Sequence, residues 1–174
     1  MTDFGAELLG ACALVTNFIG YRQNEINRYR MISGVGLVFL SAHFFMLDAM
    51  AAGIACLLSS VRNIIAIKTQ HIAVVIVFVM LHLLFLAYEW FILHHNAWIF
   101  VAYTSSIIFT VGTVMLSNTT RIRQWFIVAE SLGLVYALSV GSVFGSIFNI
   151  SNLISIFIKL AADKPESQRD ECNS

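Results

Sequence analysis

Two short stretches of the chain carry polar side chains at helical spacing inside apolar surroundings. Around LLSSVRNIIAIKT (57–69), Cys56, Ser59 and Asn63 fall at i, i+3 and i+7, on one helical face. In NISNLIS (149–155), Asn149, Asn152 and Ser155 fall at i, i+3 and i+6, a similar but not identical pattern. An amide donates and accepts without a net charge to desolvate. Two such faces converging on a central cavity would therefore suit a small polar solute. The same side chains have a plainer use as ties between membrane helices, worth roughly 1 kcal/mol each, and residue types alone leave both uses open.

Two charged residues sharpen the question. Glu130 lies near the middle of an apolar run, where a carboxylate is costly and turns toward the bundle interior. Substrate contact, proton coupling and a structural pair with Arg62 are its possible roles. Arg62 stands near one end of its segment, so its guanidinium, like the Lys68 ammonium, is expected to snorkel toward the headgroups. Binding of an anionic group is the alternative for Arg62.

The remaining chemistry is sparse. His43 and His82 are lone imidazoles, and the adjacent His94 and His95 point apart on a helix, so no metal site is expected even with Glu89 nearby. Cys12, Cys56 and Cys172 form no C-x-x-C pair, which indicates neither a disulfide framework nor a metal knuckle. No cofactor motif, H-E-x-x-H or phosphate loop occurs, and no Ser/His/Asp set shares one depth, so catalysis is not expected. NTT (118–120) and NIS (149–151) match the glycosylation pattern, but the first is expected in the cytoplasm and the second buried.

These residues need elements to hold them, and composition says which. Of 174 residues, 59% are hydrophobic and 11% are charged, whereas soluble domains carry about 25% charged residues. The run IAVVIVFVMLHLLFLAY (72–88) has no formal charge and approaches the roughly 20 residues that cross a bilayer. A polytopic membrane protein follows, with the lipid bilayer as its surroundings and a homo-oligomer compatible with it. Net charge is zero, so no basic field invites nucleic acid. The N-terminal stretch has two acids and no base before its apolar run, which suits a retained first span rather than a cleaved signal.

Seven apolar segments can be drawn, at about 5–21, 31–47, 49–67, 72–92, 96–116, 124–140 and 143–162. Segments two and three meet at Asp48, which is expected to cap the turn, and segments six and seven meet near Gly141 and Ser142. Arg22, Arg28 and Arg30, then Lys68, then Arg121 and Arg123, then Lys159 and Lys164 mark alternate ends of the segments. The positive-inside rule then puts the N-terminus outside and the C-terminus in the cytoplasm. Tyr88, Trp90, Trp98, Tyr103 and Trp125 fall near the interfaces, where aromatic belts are expected.

The chain also echoes itself. RYR (28–30) opens segment two and RIR (121–123) opens segment six, with Gly53 and Gly145 at matching places beyond. Each half reads as three helices with a tight hairpin, and an odd linker helix between them makes the repeat parallel. The expected fold is all-α, two parallel three-helix bundles plus a linker (3+1+3). Residues 1–70 form the first bundle, 71–94 the linker, 95–162 the second bundle and 163–174 a disordered tail. The repeat register is ambiguous, since strict spacing sets Asn63 opposite Ser155 and residue type sets it opposite Asn152.

AHFFML (42–47), then Ala52-Gly53, then Arg62 with Ile65, Lys68 and Thr69, resembles the signature stretch of the Imp-YgjV family of bacterial inner-membrane proteins. The similarity is clearest over residues 17–70 and colinear through the second half. That family is in turn similar to the group of SWEET and SemiSWEET sugar transporters, PQ-loop proteins and PnuC-type vitamin transporters. The resemblance implies parallel three-helix bundles joined by a linker helix, in which an asparagine on the third helix bonds a sugar or nucleoside. The only proline is Pro165, so the Pro-Gln pair and helix-breaking prolines of several members of that group are missing. The expectation is an inner-membrane transporter of a small polar solute, with Ser59, Asn63, Glu130, Asn149 and Asn152 at the site. A non-transporting scaffold or accessory subunit is the alternative.

Overall fold

In lipid every backbone polar group must find its partner within the segment, so apolar runs of this length become helices. The computed structural model describes residues 4–21, 25–116 and 119–171, and all regular structure among them is helical. In order these are α1 (Phe4–Tyr21), α2 (Ile26–Met46), α3 (Met50–Ile65), α4 (Ile72–Phe91), α5 (Trp98–Met115), α6 (Thr119–Ser139) and α7 (Val143–Glu171). Arg22, Asn118 and Cys172, which the sequence reading used, lie outside the described residues.

Four of the helices are long and apolar enough to cross a membrane: Asn27–Met46, Ile72–Phe91, Trp98–Met115 and Val143–Ala161. α1 and α3 are apolar but shorter. α3 has 16 residues, a rise of about 24 Å at 1.5 Å per residue. α6 carries Arg121, Arg123, Gln124 and Glu130 within its length. α7 is helical to Glu171.

Consecutive helices pack side by side, α1 on α2 on α3 and α5 on α6 on α7. α4 rests on α3 and α5, while α3 meets α5 and α1 meets α7. Ser41 and Ser60 fasten α2 to α3 by donating to the carbonyls of Gly53 and Gly34, each at 2.7 Å. Ser105 fastens α5 to α6 by donating to the Ala129 carbonyl at 2.7 Å.

Both tight hairpins close in the same way. After α2, Ala49 N–H donates to Phe44 O at 2.9 Å and Asp48 N–H to Phe45 O at 3.2 Å, with Asp48 at φ 55°. After α6, Ser142 N–H donates to Ala137 O at 2.9 Å and Gly141 N–H to Leu138 O at 3.2 Å, with Gly141 at φ 71°. This is the Schellman closure, with a left-handed residue just past the helix. Asp48 therefore caps the turn, through its backbone conformation. The residue before α3 is Ala49, which has no side-chain cap, and Asp48 serves through its backbone. Asparagine, aspartate and glycine tolerate that backbone region best.

The apolar core gathers at the hairpin end. Leu40, Phe44, Ala52, Tyr103, Tyr136 and Phe148 are buried together there. His43 seals the same end: its Nδ1 donates to the Ala6 carbonyl at 2.7 Å, and its Nε2 lies 2.7 Å from the Ser142 hydroxyl. A carbonyl oxygen can only accept, so in the neutral ring Nε2 is the acceptor and Ser142 donates.

Candidate functional site

Between the hairpin core and the opposite end lies a cavity of about 560 Å³. Residues of α1, α2, α3, α5, α6 and α7 line it, together with Gln70 and Leu116 from the connections, and none of α4 does. Phe44, Tyr136 and Phe148 bound its deep end and are buried, whereas Gln70 is exposed. The cavity thus runs from a packed floor to loops at the end carrying the α1–α2, α3–α4 and α5–α6 connections. Arg30 stands at this mouth, where its Nη1 donates to the Ala66 carbonyl at 2.9 Å and ties the start of α2 to the end of α3.

Three side chains form a chain of hydrogen bonds across the helices. Asn17 of α1 donates from Nδ2 to Asn152 Oδ1 at 2.7 Å, and Asn152 of α7 donates from its own Nδ2 to Glu130 Oε1 of α6 at 2.7 Å. All three are buried and all line the cavity. Asn149, one turn before Asn152, donates to its own helix at the Gly145 carbonyl at 2.7 Å. Its amide oxygen lies so near α6 that a Cβ on Gly133 would stand 2.5 Å from it.

On the other wall, Arg62 of α3 donates from Nη1 to Thr110 Oγ1 at 2.8 Å and from Nη2 to Asn63 Oδ1 at 3.1 Å. Thr110 passes its own proton to the Ser106 carbonyl at 2.8 Å. Above them, His82 of α4 donates from Nδ1 to the Phe78 carbonyl at 2.6 Å and meets the Ser106 hydroxyl at Nε2, also at 2.6 Å. In the neutral ring Ser106 must donate to Nε2, so in the 3.3 Å contact between Ser59 and Ser106 the donor is Ser59.

Residues 4–164 match the Imp-YgjV family, whose description is bacterial inner membrane protein. The chain belongs to the Imp-YgjV family. It is accordingly a membrane protein of a bacterial inner-membrane family, with several helices fit to span. No curated protein and no solved structure matches the chain.

In this Imp-YgjV protein the five residues proposed for solute contact, Ser59, Asn63, Glu130, Asn149 and Asn152, all line one cavity. Lys68 is exposed in the turn after α3, apart from the cavity. Arg62 does not snorkel. It is 3% exposed and held between Thr110 and Asn63, because its position on α3 turns it toward α5 rather than along the helix to the headgroups. Nor does it pair with Glu130, whose hydrogen-bond partner is Asn152. Ser155 is not among the lining residues. Tyr103 is fully buried and its hydroxyl donates to Glu89 Oε1 at 2.5 Å, while His95 Nδ1 lies 2.8 Å from Glu89 Oε2.

Sequence reasoning missed Asn17, Arg30, Ser106 and Thr110. Asn17 carried a usable signal, a lone amide inside an apolar helix, the same signal that marked Asn63. Ser106 and Thr110, at i and i+4 on α5, look like ordinary small polar residues of a membrane helix until Arg62 is seen against them.

Proposed function

We propose that this protein is an inner-membrane transporter of a small polar solute (a sugar, nucleoside or vitamin), built as 3+1+3: α1–α3, the linker α4, and α5–α7. The observation that carries the reading is the cavity. Six helices contribute to its wall, three before α4 and three after, and α4 contributes none. A chamber between two bundles, mostly apolar in its wall but set with polar side chains, closed by packed aromatics at one end and bounded by loops at the other, is the arrangement a rocking carrier needs in one of its two states.

The hairpins support a parallel repeat. Laying Asp48 on Gly141, the two left-handed turn residues, lays Ser59 on Asn152 and Cys56 on Asn149. All four side chains line the cavity, which supports reading the polar faces of α3 and α7 as counterparts on its wall. This register differs from both pairings that spacing and residue type suggested for Asn63. The loop-end bases Arg28, Lys68, Arg121 and Arg123 favour the cytoplasm for the mouth, with the N-terminus outside.

Catalysis is not part of the proposal. Ser106 and His82 have the spacing of a nucleophile and its base, but Ser106 lies mid-helix, where the surrounding N–H groups are committed to α5. They cannot gather into an oxyanion hole, on which acyl transfer depends. A non-transporting scaffold is the second reading, and the cross-bundle ties Asn17–Asn152 and His43–Ser142 suit it. Uptake by proteoliposomes, screened over radiolabelled sugars, nucleosides and vitamins, separates the two. A saturable flux that falls in Asn63→Ala, Asn152→Ala and Glu130→Gln supports transport by this site; a verified flux unchanged in all three removes the site, and no flux across the panel favours the scaffold.

A further inference from the structure

We infer that the solute bears an anionic group, a carboxylate or a phosphate, and that Arg62 is the residue that holds it; this rests on reading the cavity as a solute site. Arg62 lines the cavity and is 3% exposed, yet neither ion pair found among the described residues, Arg28–Glu25 or His95–Glu89, involves it. Its two hydrogen bonds go to neutral oxygens, those of Thr110 and Asn63, and its Nε has no partner among the described residues. A guanidinium has five N–H donors, so most of its donating capacity is unspent. Proteins keep buried charges paired or bound to something, and among the described residues nothing fills that place for Arg62.

The rest of the lining agrees. Its charged members are Arg30, Arg62 and Glu130, so basic groups outnumber acidic ones. Glu130 already accepts from Asn152, and Arg30 is engaged at the mouth with Ala66. Arg30 and Arg62 are both held by neutral groups, and Arg62 is the more buried of the two and the one whose Nε lacks a partner among the described residues. Thr110 and Asn63 fix the plane of its guanidinium, and a fixed fork of N–H groups is matched in shape to the paired oxygens of a carboxylate or phosphate. A chamber of about 560 Å³ has room for more than the charged group, and pockets of this size hold metabolite-sized ligands.

Thermal unfolding of the full chain in detergent tests this, since a ligand that binds the folded state raises its midpoint. The probes are inorganic phosphate, acetate, and the matched pairs ribose 5-phosphate with ribose and gluconate with glucose. The phosphate and carboxylate arms tell which oxyanion is preferred. The expected result is a saturable upward shift with at least one anion, little or none with its neutral partner, loss of the shift in Arg62→Gln, and partial retention in Arg62→Lys. The apparent Kd in the lysine variant should rise roughly tenfold or more, because the charge stays but the fork is lost. Equal shifts for charged and neutral partners, an undiminished shift in Arg62→Gln, or no shift with any anion would each overturn the inference. The underlying reading fails separately. A neutral solute whose shift survives Arg62→Gln but is lost in Asn152→Ala keeps the cavity as a solute site and removes only the anion.

Discussion

Asn152 Nδ2 donates to Glu130 Oε1 at 2.7 Å, and through this bond α7 reaches the one carboxyl group in the cavity wall. The same amide accepts from Asn17 at its oxygen, so one side chain satisfies a buried donor on α1 and a buried acceptor on α6. Removing it leaves two buried polar groups without partners.

Asn152→Ala should therefore cost more than the loss of one exposed bond. Each buried group left unsatisfied costs about 1–3 kcal/mol, so the thermal midpoint should fall clearly in detergent. Asn17→Ala should cost less, and the double variant should lie well short of the sum, because both changes cut the same chain. Strict additivity in that thermal series would mean that the three residues do not act as a unit.

Arg62 behaves in the opposite sense. A buried cation with no counter-ion among the described residues is a burden on the fold, because its desolvation is not repaid by an opposite charge, and an apolar residue of similar length relieves that cost. Arg62→Leu or Arg62→Met should leave the thermal midpoint unchanged or raise it, although two hydrogen bonds to Thr110 and Asn63 are lost. A large fall in the midpoint would mark Arg62 as structural instead.

Glu89 provides a contrast outside the cavity. It is 0% exposed, with Tyr103 and His95 as its partners. Tyr103→Phe removes one of these and should destabilise by roughly 1–3 kcal/mol. Because neither Glu89 nor Tyr103 lines the cavity, solute-dependent shifts measured on the variant should match those of the parent chain. A lost solute response with an unchanged midpoint would place the functional centre on α4 and α5.

How much of this was legible beforehand follows from what each residue must do. Polar types in an apolar helix are conspicuous, so Ser59, Asn63, Glu130, Asn149 and Asn152 could be singled out without knowing what faces them. The helices also emerge within about five residues of the drawn segments, apart from the far end of α7, because lipid leaves an apolar run no other fold. Arg62 was misread because depth along a helix says nothing about rotation toward a neighbour; its contact with Thr110 spans two distant segments. The bond from Asn17 to Asn152 is likewise invisible to local spacing, joining the two ends of the chain. At Asp48 the expected cap is present, but residue type alone does not say that the left-handed backbone makes it.

The central claim is that the two sets of three helices enclose a solvated chamber reached from one side of the membrane. Single cysteines report this directly. Cys12, Cys56 and Cys172 are first replaced by serine, Thr113 in the cavity wall near its mouth is changed to cysteine, and a membrane-impermeant maleimide is applied to oriented vesicles. The account predicts labelling of Thr113→Cys from the cytoplasmic face alone, with a bound solute slowing the reaction. No labelling from either face, in protein shown to be folded, or equal labelling from both, would contradict it.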